Sequence, residues 1–282
     1  MTTSYDDEPA ALDEGGGLVR LRLDLAYDGT EFSGWAAQPG RRTVEGTLAD
    51  ALGVVLRQPA PPKLTVAGRT DAGVHATAQV AHVDVGDSVD PDELRRRLGG
   101  VLPDDVVVRA VTVAPPGFDA RFAAVGRRYR YRVTDAAPDP LRRHDTLAWP
   151  RPLDAAAMQQ AADGLVGEHD FAAFAKPRPG ATTVRTLRVL DVVREADVVM
   201  VRAEADAFCH NQVRSMVGAL LAVGEARRPP HWPRQVLLAG VRDSAVTVAP
   251  AHGLTLVGVD YPPADQLAAR TRTARARRAP LG

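Results

Sequence analysis

Apolar and polar residues follow two periods along this chain, and their order predicts the same series of elements twice. Alternation with a period of two over residues 18–29 indicates a strand, and helical spacing follows over residues 43–56. Two strands on either side of Asp71, a short helix and a further strand complete the first series. The second series repeats this order, and its elements are predicted at residues 127–134, 153–167, 186–208 (a hairpin), 210–224 and 254–262.

Each half of the chain therefore has the split β-α-β arrangement of ferredoxin-like folds, whose antiparallel sheets carry helices on one face. We predict an α+β protein in which the two sheets join edge to edge into one central sheet, with helices on one face. The predicted halves are residues 18–118 and 119–264, joined within the segment 114–126, which is rich in glycine and proline. Residues 1–17 and 265–282 offer too little apolar surface to offset the entropy of ordering, so we predict two disordered tails.

The composition is that of a globular protein, with 45% apolar residues, 25% charged residues and a net charge of zero. A single cysteine, Cys209, excludes an intrachain disulfide, and no apolar run approaches the ~20 residues of a membrane span, so we predict a cytoplasmic protein. Charge is unevenly distributed: residues 1–17 hold five acids and no bases, which leaves 35 basic and 30 acidic residues elsewhere.

Any site for a polyanion must therefore be a local patch. The candidate is a run of arginines within twelve residues, and the alternative is an ordinary solvated face. The run comprises Arg121, Arg127, Arg128, Arg130 and Arg132.

The segment VAGRTDAGVHATAQV (66–80) places a lone carboxylate, Asp71, in a glycine-flanked loop between two predicted strands. A turn aspartate that bonds its own backbone is the simplest explanation. Arg69 favours another, because a neighbouring guanidinium stabilises an ionised carboxylate and can orient it. Gly68 and Gly73 allow unusual backbone torsions and the close approach of a ligand. Such a carboxylate at the end of a strand suits nucleophilic attack or charge stabilisation.

The surroundings of Asp71 argue against two other kinds of site. A glycoside hydrolase uses two carboxylates, whereas the nearest acids, Asp84 and Asp87, lie beyond the second strand. His75 and His82 suggest a metal site, but on a strand they would point to opposite faces. We therefore predict no metal ligands here.

Two further side chains could contact a substrate. Tyr129 and Tyr131 alternate with arginines, so a strand places the tyrosines on one face, either filling a core or forming a stacking platform for a nucleobase. Stacking of one base on an aromatic ring is worth ~1–3 kcal/mol. Arg214 lies in an apolar helical pattern, and it either extends to solvent or is held inward near a carboxylate or phosphate. The sequence leaves both questions open.

Four segments occur in an order and spacing that identify a family. They are GRTDAGVHA (68–76), ARFAAVGRRYRYRV (120–133), FCHNQVRSMVGALLAVG (208–224) and GLTLVGVDYP (253–262). The chain resembles the tRNA pseudouridine synthase A family over roughly residues 18–262, and the two tails fall outside the resemblance.

The resemblance implies isomerisation of uridine to pseudouridine at positions 38, 39 and 40 in the anticodon stem-loop of tRNA. It implies that Asp71 is the essential aspartate and nucleophile, and that the substrate stacks on Tyr129. Arg69 matches the arginine beside the aspartate, Arg214 a second basic residue of the active site, and Leu254 an apolar residue beside the target base. The family uses no metal or organic cofactor and acts as a homodimer in which one tRNA touches both subunits.

The chain departs from the family pattern at three places, and one rival function remains. Glu45 and Gln212 stand where glutamine and methionine are frequent, and Gly99-Gly100 replaces a segment that contains asparagine; none of these changes removes a group that the reaction needs. The rival is a non-catalytic RNA-binding protein of two ferredoxin-like halves. It accounts for the tyrosines and arginines but leaves the segment around Asp71 without a role.

Overall fold

The computed structural model describes residues 17–176 and 182–275, which contain ten strands and six helices. The strands are β1 (Leu18–Tyr27), β2 (Leu64–Val66), β3 (His75–Gly86), β4 (Val106–Val113), β5 (Gly126–Thr134), β6 (Leu147–Ala148), β7 (Gly167–Asp170), β8 (Val184–Glu195), β9 (Val198–Ala205) and β10 (Leu254–Asp260). The helices are α1 (Val44–Leu56), α2 (Pro91–Gly99), α3 (Ala155–Asp163), α4 (Gln212–Gly224), α5 (Trp232–Ala239) and α6 (Leu267–Arg275). The predicted N-terminal tail lies outside the described residues, apart from Gly17. No helix in the described part of the chain is both long and apolar enough to cross a bilayer.

All ten strands of the described chain belong to one sheet, in which each half keeps the ferredoxin-like strand order. The N-terminal half has the order β4-β1-β3-β2, and the C-terminal half has the equivalent order β10-β5-β9-β8, extended by β7. The halves meet where β10 pairs with β3 in parallel, with Thr255 opposite His75 and Leu256 opposite Ala76. The prediction of two ferredoxin-like sheets joined edge to edge is confirmed.

Two strands share the outer edge of β3. β2 pairs with it from Val83 to Ala81, and β10 pairs with it at His75 and Ala76. Between these two pairings the chain leaves the sheet after Val66 and returns at His75. We call residues 67–74 the Asp71 loop. It emerges at the boundary between the two halves.

Two large clusters of buried side chains underlie the helices. Around Leu23 and Leu48, α1 and α2 pack on β1, β3 and β4; around Phe171 and Met216, α3, α4 and α5 pack on β5, β8 and β9. All four of these side chains are fully buried, and burying each stabilises the fold by roughly 1.5–3 kcal/mol. Tyr129 contacts both clusters, so the helices α1–α5 cover one continuous face.

The predicted disorder of residues 265–282 is wrong for residues 267–275, which form α6. Leu267 is buried in a third cluster with Phe118 and Val80. Val80 alternates along β3 with side chains of the cluster around Leu23 and Leu48, so it points to the opposite face of the sheet. Because Leu267 packs in the same cluster as Val80, α6 lies on the opposite face from α1–α5. The prediction of helices on one face is therefore also wrong, for this helix. Residues 276–282 lie outside the described residues.

A surface elsewhere in the chain explains why α6 orders despite its polar sequence. The segment between the two halves offers Phe118, Ala120 and Ala123 to Leu267. Gly117 of the same segment has a φ of +78°, and a Cβ atom there would lie 2.6 Å from the Cβ of Ala268. The composition of the tail alone could not reveal this partner surface.

The carboxylate of Asp135 connects β5, β8 and the start of α3 within the C-terminal half. It accepts hydrogen bonds from the Arg194 guanidinium at 2.7 and 2.8 Å and from the Leu153 N–H at 2.7 Å. The Arg194 bonds, opposed by burial and helped by the Leu153 N–H, lower the pKa of Asp135 to about 2.

We expect Asp135→Asn to lower the free energy of unfolding by about 2 kcal/mol at pH 7. A carboxyl group whose pKa falls on folding stabilises the protein above its unfolded pKa, and this contribution disappears as the pH falls through the folded value. The deficit of the variant should therefore shrink between about pH 4 and pH 2, as measured by urea unfolding across this range. Glu195→Gln, which removes an exposed pair with Arg202 at 3.2 Å, is the control and should change little at any pH. An equal deficit at both ends of the range would contradict the assignment.

Candidate active site

The Asp71 loop is held by the segment that follows β1. The Trp35 N–H donates to the Thr70 carbonyl at 3.0 Å, and the hydroxyls of Thr70 and Tyr27 are 2.8 Å apart. Gly34 has a φ of +93°, and a Cβ atom there would lie 2.9 Å from the Thr70 carbonyl oxygen. These contacts fix the backbone immediately before Asp71.

The two glycines near Asp71 differ in their roles. Gly73 has a φ of +76°, the left-handed conformation that favours glycine, as predicted. Gly68 is not in that conformation, and a Cβ atom there would meet open space. Of these two positions, only position 73 requires glycine for its backbone conformation, while position 68 leaves space beside the loop.

The Asp71 side chain crosses the boundary between the halves. The Val74 N–H closes the turn through the main-chain carbonyl of Asp71, at 3.1 Å, so the turn leaves the carboxylate available. Nε2 of His210 lies 3.2 Å from Oδ1, and Nη1 of Arg214 lies 3.6 Å from Oδ2. His210 precedes α4 and Arg214 lies in its first turn, so the start of this helix brings both side chains to Asp71. The Asp71 side chain is 28% exposed and accessible to a ligand.

Arg214 is held inward, which answers the question that its sequence left open. Its Nε donates to the Ala249 carbonyl at 2.7 Å, and its own carbonyl accepts from the Ala249 N–H at 3.0 Å. The side chain is 18% exposed. Two bonds to one residue thus direct the guanidinium towards Asp71.

Arg69 does not take the orienting role that we predicted for it. Its side chain is exposed and, among the described residues, it forms no ion pair with Asp71. The reason is the turn that begins at Asp71, which directs the carboxylate towards α4. Closeness in sequence is therefore a poor guide here, and Arg214 with His210 occupies the position expected for Arg69.

Tyr129 lies half-buried on β5 at the same boundary. Its ring packs edge-on against Phe208, with 5.3 Å between centroids and 85° between planes. Burial raises the pKa of Tyr129, and the nearby Tyr27 and the negative charge of Asp71 raise it further. The Asp71 carboxylate is thus close enough to Tyr129 to influence its titration. Leu254 is buried in the core cluster that Tyr129 also contacts.

The five arginines considered as a polyanion patch do not form one surface. Arg127 is buried, Arg128 pairs with Asp260 at 2.9 Å, and the Arg132 Nε donates to the Thr146 hydroxyl at 3.1 Å. Arg127 and Arg128 also project to opposite faces of β5. The candidate patch therefore does not exist as one continuous surface.

The two histidines considered as metal ligands hold backbone segments. Nδ1 of His75 accepts the Gly29 N–H at 2.9 Å, and Nε2 donates to the His252 carbonyl at 3.0 Å. Nδ1 of His82 accepts the Ala120 N–H at 3.0 Å, and burial, the largest cause, lowers its pKa to about 4. Across the described ranges no group of three or more histidine, cysteine, aspartate or glutamate side chains is placed to hold a metal ion.

His210 is a site residue that the sequence did not reveal, although its place just before the helix that carries Arg214 is a usable signal. The turn that carries it is unusual, since Asn211 has a φ of +65° and its side chain does not cap α4. Gln212 holds this turn, because its side-chain carbonyl accepts the Cys209 N–H at 2.8 Å. The methionine that is frequent at this position could make only a weak bond of this kind.

Comparison with known proteins agrees with this geometry. A family model described as tRNA pseudouridine synthase matches residues 161–262. The tRNA pseudouridine synthase A of Frankia casuarinae is 65% identical over 267 residues, covering 94% of this chain and 97% of that protein. The protein of the same name from Streptomyces avermitilis is 57% identical over 93% of this chain and 95% of its own length, and that from Mycobacterium leprae is 49% identical over 89% and 93%. This similarity extends over both halves, so the chain belongs to the tRNA pseudouridine synthase A family.

Proposed function

We propose that this chain converts uridine to pseudouridine at positions 38, 39 and 40 of the tRNA anticodon stem-loop, with Asp71 as the catalytic carboxylate. Membership of the family makes the chain an isomerase that acts on tRNA. The observation that carries the assignment of Asp71 is its position at the boundary of the halves, in contact with His210 and Arg214 and within electrostatic reach of Tyr129.

The chemistry suits a single carboxylate. The N1–C1′ bond of uridine breaks, a C5–C1′ bond forms, and the proton on C5 is lost while N1 gains one. No water is consumed and the base stays in the pocket, so no second carboxylate is needed, in contrast to glycoside hydrolysis. Addition of Asp71 to the base, attack on C1′ and removal of a sugar proton all remain compatible with one carboxylate.

Positive charge around Asp71 supports a nucleophilic role beside a polyanion. The Arg214 guanidinium lies 3.6 Å from Oδ2 of Asp71, where it attracts the carboxylate. The bonds from Arg214 to Ala249 keep the guanidinium in place without help from the substrate. Asp71 is thus oriented before tRNA arrives, which limits the reorganisation needed at the moment of reaction.

Extraction of a uridine from a stem costs a few kcal/mol. Stacking on Tyr129 would return ~1–3 kcal/mol of that cost. Leu254 lies in the core cluster that packs against Tyr129, and we assign it contact with the target base. Arg69, exposed on the Asp71 loop, is assigned to the RNA. It is available to contact a phosphate or the strand from which the base is withdrawn.

The resemblance also supports three statements about how the protein works. We propose a homodimer in which one tRNA contacts both subunits, activity in the cytoplasm, and a reaction without a metal or organic cofactor. Equilibrium sedimentation with and without tRNA tests the first of these. Mapping of pseudouridine in a tRNA transcript incubated with the purified protein tests the three positions.

Asp71→Asn should abolish release of tritium from tRNA labelled at uracil C5, because the variant lacks the negative charge that the reaction uses. Its affinity for tRNA should stay within about threefold of the parent protein, since Asp71 is one side chain in a large interface. Asp50→Asn, at an exposed position on α1, is the matched control and should release tritium at the parent rate. Turnover by Asp71→Asn would remove Asp71 from the central role. A parent protein that binds tRNA but never releases tritium would favour the non-catalytic RNA-binding alternative.

Arg214→Ala should lower the single-turnover rate by about 10- to 100-fold while tRNA affinity changes much less, because the guanidinium acts mainly on Asp71. Quench measurements of tritium release at saturating enzyme, with filter binding of tRNA in parallel, separate the two effects. Arg128→Ala removes a more exposed arginine, paired with Asp260, and serves as the control. If Arg214→Ala weakens binding and leaves the rate of bound tRNA unchanged, its role is in substrate binding alone.

A further inference from the structure

Arg127 is a buried arginine whose guanidinium bonds to backbone carbonyls of several segments. It is 9% exposed. Nη2 donates to the carbonyls of Ala67 and Arg121 at 2.7 and 3.0 Å, and Nη1 donates to those of Asp206 and Ala124 at 2.8 and 3.4 Å. None of these partners is on the same strand as Arg127.

The four carbonyls belong to the segments that form the candidate active site and the connection behind it. Ala67 begins the Asp71 loop, and Asp206 begins the segment that carries Phe208 and His210. Arg121 and Ala124 lie in the connection between the two halves. One side chain therefore bonds both to the Asp71 loop and to the segment that carries Phe208 and His210.

The far side of this contact is itself fixed. Asp206 is 7% exposed, and its carboxylate accepts the N–H groups of Thr186 and Ala207 at 3.0 and 2.8 Å. Bonds from Arg127 thus connect the Asp71 loop to a residue, Asp206, that is itself fixed at the ends of β8 and β9. Arg127 also shares a face of β5 with Tyr129, two residues further along the strand.

Only a guanidinium can make this set of bonds. Four of its five N–H groups are used, in a planar fork that reaches carbonyls on two sides. A lysine has three donors on a single nitrogen atom and a glutamine has two, so neither can reach all four carbonyls. A substitution would leave buried carbonyls without donors and would remove the connection between the Asp71 loop and Asp206.

We propose that Arg127 is a positioning residue of the isomerisation, which fixes the Asp71 loop relative to Tyr129, Phe208 and His210. This inference depends on the proposed role of Asp71. Arg127 does not touch the substrate; it sets the distance between the carboxylate and the groups that receive the flipped uridine. Its loss therefore affects the rate of the bound complex more than the affinity for tRNA.

A purely structural arginine would instead lower stability and leave the rate of the folded protein unchanged. Arg194 provides the matched comparison, since it also donates to a backbone carbonyl, that of Leu153, in addition to Asp135. All its contacts lie within the C-terminal half and away from the Asp71 loop. Variants at the two positions separate effects of stability from effects of position.

The experiment compares Arg127→Lys, Arg127→Ala, Arg194→Lys and Arg194→Ala in the full-length chain. For each variant, urea unfolding gives stability, filter binding gives tRNA affinity, and tritium release at saturating enzyme gives the single-turnover rate. We expect both Arg127 variants to react at least tenfold more slowly, with tRNA affinity within about threefold, because small displacements of reacting groups have large effects on rate. Both Arg194 variants should lose stability and react within about threefold of the parent.

Chemical rescue adds a measurement that a purely structural role would not change. Guanidinium chloride at about 10 mM, far below denaturing concentrations, should restore part of the rate of Arg127→Ala, whereas sodium chloride should not. If Arg127→Ala does not fold, Arg127→Lys alone decides the result. A folded Arg127→Lys that reacts at the parent rate, or equal slowing at Arg127 and Arg194, would overturn the inference and leave the proposed function intact. An inactive parent protein would instead overturn the proposed function.

Discussion

The parallel pairing of β10 with β3 is the constraint on which the site depends. Within β10, only Thr255 and Leu256 pair with β3, and they do so at the end of β3 where the Asp71 loop returns to the sheet. The bond from His75 to the His252 carbonyl reinforces this contact. Each ferredoxin-like half could in principle form its own sheet, but the carboxylate belongs to one half and its basic partners to the other. The site therefore exists only because the two sheets are continuous.

A short segment before β10 serves several parts of this arrangement at once. Ala249 directs Arg214, and the carbonyl of Pro250 accepts the Tyr131 hydroxyl at 2.9 Å. The carbonyl of His252 bonds to His75, the first residue of β3 after the Asp71 loop. Residues 249–252 thus connect the Arg214 guanidinium, β5 and the end of the Asp71 loop through backbone groups. Such contacts depend on main-chain position, so they place few demands on side-chain identity.

This reliance on backbone explains which features the sequence could predict. Periodicity indicated the order of strands and helices, because the positions that are buried in each element carry apolar side chains. The segment around Asp71 indicated chemistry through its match to a family motif, since glycines around a carboxylate are also typical of an ordinary turn. The prediction that Arg69 orients Asp71 was wrong. The direction of a turn depends on contacts from distant segments, and Arg69 is near Asp71 only along the chain. Helix α6 was missed for the same reason: its apolar partner surface lies in the connection around Phe118, not in its own composition.

The position of β10 has a consequence for synthesis on the ribosome. β10, the strand that completes the middle of the sheet, is made after the other nine strands of the described chain, and His252 lies 177 residues after its partner His75. Until it emerges, the nascent N-terminal half presents the open edge of β3, a surface that invites pairing with another chain. Nascent chains can also acquire no activity towards tRNA before β10 has been made. The arrangement thus couples the appearance of activity to the synthesis of this one strand, at the expense of an exposed edge during the intervening time.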